Sequence, residues 1–444
     1  MSDLLAIGAT GVRAYQVALT TVGENIANTG VAGYTRRTTT LNEVASASGI
    51  GGRDITGIGV TVAGIARQAD AYRATAVRDA GTDLARTEAG NVWLERIQSS
   101  LTGAGLGDRL TGFFNAARSL AADPTSVPQR AVLLEQAGAL AAAFATTGKQ
   151  LDASMTELDA NARQAAATLD SLGQALARVN DGIARASPGG TTAAQLADQR
   201  DQLLEQMSAI ADVRVTLDPA GRASVALGAG GPTFVSGGDS GHVTYARTGG
   251  AVALSANFNG TITSFTPAGG ALAGMREAAG RIADTRASLN TLATDFVTEI
   301  NAIQTGGRDL DGTAGTALFA AGATPTDLTV ALTDPRKLAA AGVGGGSRDA
   351  SNLAQLESSR GSHGWEAGVT ALVGGNAAAL EQRKLVADAQ GAIRDGAVAA
   401  QASVSGVDLD NEAVDLLRFQ QAYQASSRVI QVARETMNSL LEIR

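Results

Sequence analysis

Residues 416–441 read LLRFQQAYQASSRVIQVARETMNSLL, and apolar or small residues recur there at every third or fourth position. Alternating steps of three and four residues put these side chains on one narrow stripe of a helix, as in a coiled coil. The full series is Leu409, Glu412, Leu416, Phe419, Tyr423, Ser426, Ile430, Ala433, Met437 and Leu440, with Glu412 as its one charged member. Because a helix cannot bury such a stripe by itself, the sequence predicts that this helix packs against another.

The N-terminal end of the chain carries a matching series. Residues 5–26 read LAIGATGVRAYQVALTTVGENI. The positions with the same spacing are Leu5, Gly8, Val12, Tyr15, Leu19, Val22 and Ile26. Chain ends usually fray, so two ends with apolar stripes are expected to pair with each other or with other subunits.

The composition excludes several classes of protein. The 444 residues suggest roughly two to four domains, and their formal net charge is −8, whereas a nucleic-acid-binding protein normally has a basic face. Cysteine is absent, which excludes disulfides, thiolate metal sites and cysteine nucleophiles. Only two histidines, His242 and His363, are available for metal binding or acid–base catalysis. We therefore expect no cofactor, no metal and no nucleic-acid partner.

Neither a secretory signal nor a membrane segment is predicted. The N-terminus lacks a basic segment followed by an apolar one, and no stretch approaches the roughly 20 apolar residues of a membrane span. No polybasic patch is present for contact with an anionic membrane. We expect a cytoplasmic protein, or one exported by a route that needs no cleaved signal.

The middle of the chain changes from helical to strand-like patterning and back. Apolar residues recur at helical spacing over residues 133–183, which predicts one helix of some fifty residues, about 75 Å long. Residues 213–266 instead alternate apolar and polar residues between turn sequences, which predicts short strands. Helical spacing resumes at Met275, and residues 306–337 are predicted to be irregular.

The predicted fold class is mainly α with an inserted β domain. We expect an elongated multi-domain rod in which the N- and C-terminal helices pair in a coiled-coil-like assembly domain. A long-helix bundle would follow, with a small β domain at the far end. The predicted domains are residues 1–38 with 405–444 for assembly, 39–211 with 274–404 for the bundle, and 212–273 for the β insert.

A search for catalytic motifs finds none. Loops for phosphate or dinucleotide binding, the zinc-protease motif and the nucleophile elbow of hydrolases are all missing. Asp309-Leu-Asp311-Gly312 has the start of a calcium loop, but the later ligands and the closing Glu are absent, so a surface turn is expected. Both histidines lie in Gly/Ser-rich sequence and are predicted to be solvated loop residues. These observations favour a protein that is not an enzyme.

Both ends resemble motifs shared by bacterial flagellar rod, hook and hook-associated proteins. The N-terminal motif covers residues 19–37 with Asn25-Ile-Ala-Asn28 and Gly33-Tyr-Thr-Arg36, and the C-terminal motif begins at Ser405-Gly-Val-Asp-Leu-Asp-Asn-Glu412 and continues through residues 417–441. Within that superfamily, three segments resemble the family of the first hook-associated protein, which joins hook to filament. They are GYTRR at residues 33–37, AAQLADQRDQLLE at residues 193–205, and the form of residues 405–412.

The resemblance implies a structural protein without enzymatic activity. Family members are exported unfolded by the flagellar type III apparatus without a cleaved signal, and their termini form an inner helical tube on assembly. The implied location is extracellular, at the hook–filament junction. The implied partners are further copies of the chain in a ring or helical layer, the hook protein, the second hook-associated protein, and an export chaperone on the C-terminal helix.

The predicted assembly interface combines the two apolar stripes with the turn after the first helix. Its residues are Leu5, Val12, Tyr15, Leu19, Val22, Ile26, Asn28, Gly33, Tyr34, Leu416, Phe419, Tyr423, Ile430, Met437 and Leu440. Two alternatives stay open. The chain could be another axial protein, such as a hook, distal-rod or second hook-associated protein. It could also be a secreted enzyme with an Asp/Glu pair in the β insert, although an insert of about fifty-five residues is small for a glycosidase cleft.

Overall fold

The computed structural model describes residues 2–44 and 59–442. The helices in this part of the chain are α1 (Ser2–Ala27), α2 (Ala71–Gly103), α3 (Leu106–Ala122), α4 (Val127–Arg185), α5 (Thr191–Ile210), α6 (Gly270–Gly306), α7 (Ser351–His363), α8 (Trp365–Ser405) and α9 (Leu409–Glu442). Its strands are β1 (Arg37–Glu43), β2 (Val60–Arg67), β3 (Val213–Leu217), β4 (Ala223–Leu227), β5 (Thr233–Ser236), β6 (Asp239–Ser240), β7 (His242–Thr248), β8 (Ala251–Phe258), β9 (Thr261–Phe265), β10 (Phe319–Ala321) and β11 (Leu328–Val330).

The fold class is confirmed as mainly α with an inserted β domain. The inserted strands form two antiparallel sheets, in the orders β3-β4-β5-β6 and β7-β8-β9, and two further hairpins pair β1 with β2 and β10 with β11. Helix ends follow the sequence signals: Asp70 caps α2, and Asp408 caps α9, each by accepting hydrogen bonds from backbone N–H groups of the first turn. Helix α4 runs unbroken for 59 residues, about 88 Å, as the periodicity predicted.

The first hydrophobic core lies among the second half of α2, α3, the first half of α4, α6, residues 318–340, α7 and the first part of α8. Aromatic rings pack at its centre, namely Phe113, Phe114, Phe296, Phe319 and Trp365. Trp365 stacks on Phe114 with ring centroids 5.7 Å apart. Trp365 and Trp93 are both buried, as expected for large rings packed between helices.

The second core joins the second half of α4 to α5 and to strands β3–β9. Leu176 of α4, Met207 of α5 and Phe234 of β5 are fully buried within it. The ring of Phe234 lies against Gly173 of α4, where a Cβ atom would come within 2.8 Å of the ring. The sheet therefore packs directly on the long helix, and α4 belongs to both cores.

This shared helix corrects one sequence-based expectation. By length and composition, α4 is apolar enough to cross a membrane, although no such stretch was expected. Its apolar residues are instead divided between the two cores, with Leu140 in the first and Leu169 in the second. Of the most apolar 18 residues of α4, 44% are buried within the protein.

The position of the β domain also differs from the prediction. The strands lie along the second half of α4, where Asn180 donates a hydrogen bond to the Ala223 carbonyl and Asp170 accepts one from the Val243 backbone. They were expected at the far end of the rod. The chain reverses direction in the turn after α4, and α5 is only 20 residues long, so it brings the strands back alongside α4.

The two ends of α4 show which end of the molecule lies away from the terminal helices. After α4, the Gly189 carbonyl accepts a hydrogen bond of 2.6 Å from the Ile65 backbone of β2, next to the terminal region. At the start of α4, Arg130 donates a hydrogen bond to the Leu338 carbonyl. The far end is therefore built from α3, the start of α4 and the segment of residues 307–350.

Three smaller features complete the comparison with the sequence. Strands β3 to β9 lie within residues 213–266, where short strands were predicted, and residues 306–337, expected to be irregular, contain the β10–β11 hairpin. Of the Gly-rich stretch of residues 49–64, the structure describes residues 59–64, where Val60 and Val62 lie in β2. Helix α6 begins at Gly270, inside the predicted insert of residues 212–273.

Candidate functional site

Helices α1 and α9 pack against each other along most of their length. Gly8 faces Ile430, and Gly11 faces Ser426; a Cβ atom at either glycine would lie 2.6 Å from the facing side chain. Further along, the rings of Tyr15 and Phe419 lie 6.4 Å apart. Residue numbers rise along one helix as they fall along the other, so the pair is antiparallel. Small residues on α1 allow the two backbones to approach closely.

The structure brings most of the predicted stripe residues to this contact. Val22 is buried, and the half-buried members are Leu5, Val12, Tyr15, Leu19, Leu416, Phe419, Tyr423 and Ile430. Ile26 and Met437 are exposed, at 37% and 49%, and so lie outside the contact. Leu440 lies in α9, but its side chain is not among those described. The pair by itself therefore leaves much of both stripes partly open to solvent.

The charged member of the α9 stripe, Glu412, is buried and bound by two residues from the other end of the chain. Asn25 of α1 donates a hydrogen bond of 3.0 Å to Oε2 of Glu412, and Nε of Arg36 lies 2.5 Å from Oε1. The Glu412 side chain is 1% exposed, whereas that of Arg36 is 23% exposed. A buried carboxylate is costly unless it is paired, so this contact fixes which residues of α1 and α9 lie opposite each other.

Asn25 also organises the turn that follows α1. Its Oδ1 accepts hydrogen bonds from the Tyr34 hydroxyl at 2.8 Å and from the Arg37 backbone at 3.0 Å, and its Nδ2 donates to the Arg37 carbonyl. Burial raises the pKa of the Tyr34 phenol, an effect that the nearby Arg37 guanidinium opposes. Asn28 is half-buried and donates to the Glu24 carbonyl at the end of α1.

The same network continues into the helix bundle through α5. Arg37 contacts Asp198 at 2.9 Å, and Arg67 of β2 contacts both Asp198, at 2.8 Å, and Asp201, at 2.7 Å. Arg37 and Asp198 are largely buried. We call the residues Asn25, Tyr34, Arg36, Arg37, Arg67, Asp198 and Glu412 the polar network. It connects α1, α9, the first hairpin and α5.

Gly33 is held in the turn by a close contact with α5. Its φ is 76°, in the left-handed region that favours glycine. The amide of Gln202 donates a hydrogen bond of 2.8 Å to the Ala32 carbonyl, and a Cβ on Gly33 would lie 1.9 Å from that amide nitrogen. Cavities of about 480 and 420 Å³ flank the turn. Gly33 therefore allows the turn to contact α5.

Several residues of this site were missing from the predicted interface. Ala14, Ala18 and Thr21 are buried on α1, and Thr21 contacts Thr39 of the first hairpin. Their steps of four and three residues fit a helical stripe, one position before Tyr15, Leu19 and Val22, so spacing could have found them. Asn25 and Glu412 stood in the quoted sequence motifs, but their contact joins positions nearly a whole chain apart.

The side chains that the sequence offered for metal binding make structural contacts instead. Within the described residues, no group of acidic or histidine side chains is placed to hold a metal. The Asp309–Gly312 turn is closed by protein atoms, since the Lys337 ammonium lies 3.0 Å from Asp309 and 3.5 Å from Asp311. A lysine thus occupies the position beside these carboxylates that a cation would need.

The prediction that both histidines lie in loops is wrong. His242 begins β7 and pairs with Asp170 of α4. His363 is the last residue of α7; it stacks on Trp365 with ring centroids 4.8 Å apart and hydrogen-bonds Asp295. Each histidine therefore joins two elements of the fold, and Gly/Ser-rich neighbours in the sequence gave no sign of these partners.

Comparisons with known proteins bear on both the bundle and the terminal pair. Residues 93–319, just over half of the chain, match the family model of the flagellar hook-associated protein FlgK helical domain. This chain belongs to the FlgK family of flagellar hook-associated proteins. Residues 400–443 also match the C-terminal model of flagellar basal body rod FlgEFG proteins. The resemblance carried by the two terminal motifs is confirmed.

Curated relatives support the same family. Flagellar hook-associated protein 1 of Salmonella typhimurium is 28% identical over 75% of this chain and 63% of its own length. That of Bacillus subtilis is 22% identical over 78% of each chain. The chain thus matches less than two thirds of the length of the Salmonella protein.

A solved structure shows the shared fold. The flagellar hook junction protein FlgK from Burkholderia pseudomallei aligns with a TM-score of 0.50 and 23% identity. The alignment covers 55% of this chain and 46% of that one.

Proposed function

We propose that this FlgK-family chain is a structural protein of the bacterial flagellum that joins the hook to the filament. It polymerises through α1 and α9 after export by the type III apparatus without a cleaved signal, and it works outside the cell without enzymatic activity. The assembly domain comprises residues 1–38 and 405–444, the helix bundle residues 39–211 and 274–404, and the β insert residues 212–273. The predicted terminal residues, from Leu5 to Leu440, form its interface with neighbouring copies.

The observation that carries this proposal is the incomplete burial of the terminal helix pair. On the side of α9 away from Glu412, Val414, Leu417 and Val432 are 65%, 58% and 55% exposed. Each apolar side chain contributes about 1.5–3 kcal/mol when it is fully buried, whereas ordering a residue costs about 1–2 kcal/mol. Neighbouring copies would cover the exposed side chains and supply the missing stabilisation.

The proposed partners follow from the same surfaces and from the family. Copies of the chain form a ring or helical layer, with the hook protein on one side and the second hook-associated protein on the other. Before export, a chaperone covers the C-terminal helix, where exposed apolar side chains would otherwise associate.

The decisive experiment deletes the gene in its host and examines flagellar assembly. We expect hooks to form while filament subunits leak into the medium, and full-length chain supplied in trans to restore filaments. A chain that ends after residue 408 should fail to restore them, while one carrying the exposed substitution Arg109→Gln should succeed. Normal filaments in the deletion strain would refute the proposal.

Hydrogen exchange of the isolated chain tests the role of neighbours. Amides of α1 and α9 should exchange much faster than those of α4 in dilute solution, and they should become protected on assembly. Full protection of the terminal amides in a dilute monomer would contradict assembly-dependent ordering.

A further inference from the structure

The helix bundle carries an apolar ridge on the outer face of α8. Leu385 and Ile393 are 70% and 63% exposed, and Ala389, Ala392 and Gly396 between and beyond them are also exposed. A helix that packs inside a soluble protein normally turns such residues inward. We call these five residues the α8 ridge.

A row of acidic residues borders the α8 ridge. Asp388 and Asp395 are exposed and seven residues apart, which places them on one side of the helix about 10.5 Å from each other. Asp388 forms no salt bridge within residues 2–44 and 59–442, and Asp395 reaches only its neighbour Arg394, at 3.8 Å. The ridge therefore combines apolar contact area with two available carboxylates.

A groove with the opposite charge lies between α4 and α5. Its floor is formed by Ala175, Val179, Leu196 and Leu203, and it encloses about 420 Å³. The exposed Arg178 of α4 lines the groove, and the exposed Arg185, seven residues further along α4, lies beyond the lining; the exposed Asp181 lies between them in sequence. Neither arginine forms a salt bridge in the part of the chain that the structure describes. Along their helix, Arg178 and Arg185 are separated by the same rise of about 10.5 Å as Asp388 and Asp395.

The ridge and the groove lie on opposite sides of α2, so one copy can use both at once. On one side, Arg73 of α2 donates a hydrogen bond of 2.6 Å to the Ala400 carbonyl of α8. On the other, Thr82 of α2 donates one of 2.8 Å to the Ser208 carbonyl of α5. Two different complementary surfaces on one molecule produce a head-to-tail contact, which closes into a ring or continues as a helix.

We infer that the α8 ridge of one copy docks in the α4–α5 groove of a second copy, with Asp388 facing Arg178 and Asp395 facing Arg185. This inference rests on the proposed self-assembly and adds a contact in the helix bundle, separate from the terminal helices. The apolar residues supply contact area, and the two ion pairs set the register between copies. This contact adds the helix bundle to the surfaces through which copies associate, beyond α1 and α9.

Charge reversal tests the ion pairs in the purified full-length chain. Arg178→Glu should weaken self-association, measured by sedimentation, by about fivefold, because one attractive pair becomes a repulsive one. Asp388→Arg should weaken self-association similarly. The variant that combines Arg178→Glu with Asp388→Arg should recover most of the lost self-association, because the pair is again attractive. Arg109→Glu, the same change at an exposed site on α3, is the matched control. Equal effects of Arg178→Glu and Arg109→Glu, or no recovery in the double variant, would overturn the inference.

Cross-linking tests the register, since the chain has no native cysteine. The pair Ala175→Cys and Leu385→Cys should give disulfide-linked multimers under oxidation, at least about tenfold more than the pair Ala160→Cys and Leu385→Cys. Ala160 lies on the same helix, about 22 Å from Ala175. Equal cross-linking by the two pairs would exclude the proposed contact. The deletion experiment tests the proposed function separately: a chain that restores filaments but fails both assays here keeps its proposed function and loses this contact.

Discussion

At the residue scale, Glu412 shows how one buried charge can define a helix pair. An apolar residue in its place would fit the stripe, but it would leave Arg36 without its closest carboxylate and would leave Asn25 Nδ2 with only the Arg37 carbonyl as acceptor. A polar residue within an apolar seam favours one register over the alternatives that apolar residues allow. We infer that Glu412 aligns α1 with α9.

We therefore predict that Glu412→Ala destabilises the terminal pair by about 3 kcal/mol, as expected when one partner of a buried ion pair is removed. In the assembled protein, where α1 and α9 are expected to be protected, hydrogen exchange and limited proteolysis of these helices should reveal the loss, while α4 stays protected. Glu435→Ala, an exposed change on the same helix, is the control and should have little effect. Equal protection of α1 in the two variants would contradict this prediction.

Gly33 provides a second residue-scale prediction, with a matched control in the same turn. Gly33→Ala should destabilise the turn by about 1–2 kcal/mol through its positive φ, and further through collision with Gln202. Gly30 has a nearly equal φ of 77° but no atom within 4 Å of the added Cβ, so Gly30→Ala should show only the backbone effect.

Chemical unfolding of the single variants and of Gly33→Ala combined with Gln202→Ala would separate the two contributions at Gly33. The second substitution removes the collision, so it should reduce the difference between the Gly33 and Gly30 variants. If that difference persists, Gln202 is not its cause.

Asp309 links stability to pH at the far end of the molecule. Burial alone would raise the pKa of Asp309, but hydrogen bonds from Thr313 and Lys337 outweigh it and lower the pKa from 3.8 to about 2. Because the folded-state pKa is depressed, the stabilisation is fully present above about pH 4 and is lost as the pH falls through 2. A shift of this size corresponds to about 2 kcal/mol.

Asp309→Asn should accordingly lower the free energy of unfolding by about 2 kcal/mol at pH 7. The difference from the unsubstituted chain should shrink as urea unfolding is repeated down to pH 2. Asp79→Asn, at an exposed position of α2 without a salt bridge in the described part of the chain, should show neither effect. A pH-independent cost of Asp309→Asn would show that the carboxylate charge is not responsible.

At the scale of elements, periodicity identified the long helices well because each buries one continuous stripe. The apolar series over residues 133–183 lies within α4. Short strands were less predictable: β6 has only two residues, too few to show an alternating pattern, although it pairs with β5 across the adjacent Gly237-Gly238 turn.

The candidate site was predictable only in part, for a different reason. Spacing identified the stripes facing between α1 and α9, because that contact repeats along both helices. It could not identify the pairing of Arg37 with Asp198 or of Asn25 with Glu412, which depends on how distant segments meet in three dimensions. Ile26 and Met437 fit the two stripes by spacing, yet both are exposed. Spacing along one helix does not show where the contact with the partner helix ends.

At the scale of the whole molecule, α4 is the element through which the two cores are coupled. Leu158 belongs to the first core and Ala162 to the second, and Ala160 lies exposed between them. An unbroken helix across this point transmits the orientation of one core to the other. The coupling should depend on backbone continuity rather than on the Ala160 side chain, which contacts solvent.

Ala160→Pro should therefore uncouple the cores while leaving each of them packed. Proline removes a hydrogen bond of the helix and clashes with the preceding turn, at a cost of about 3 kcal/mol or more, whereas Ala160→Gly costs about 1 kcal/mol. Calorimetry of the proline variant should resolve two unfolding transitions, one for each core, while the glycine variant should keep the unfolding profile of the original chain at a slightly lower temperature. A single transition in the proline variant would mean that contacts of α6, which also reaches both cores, couple them without α4.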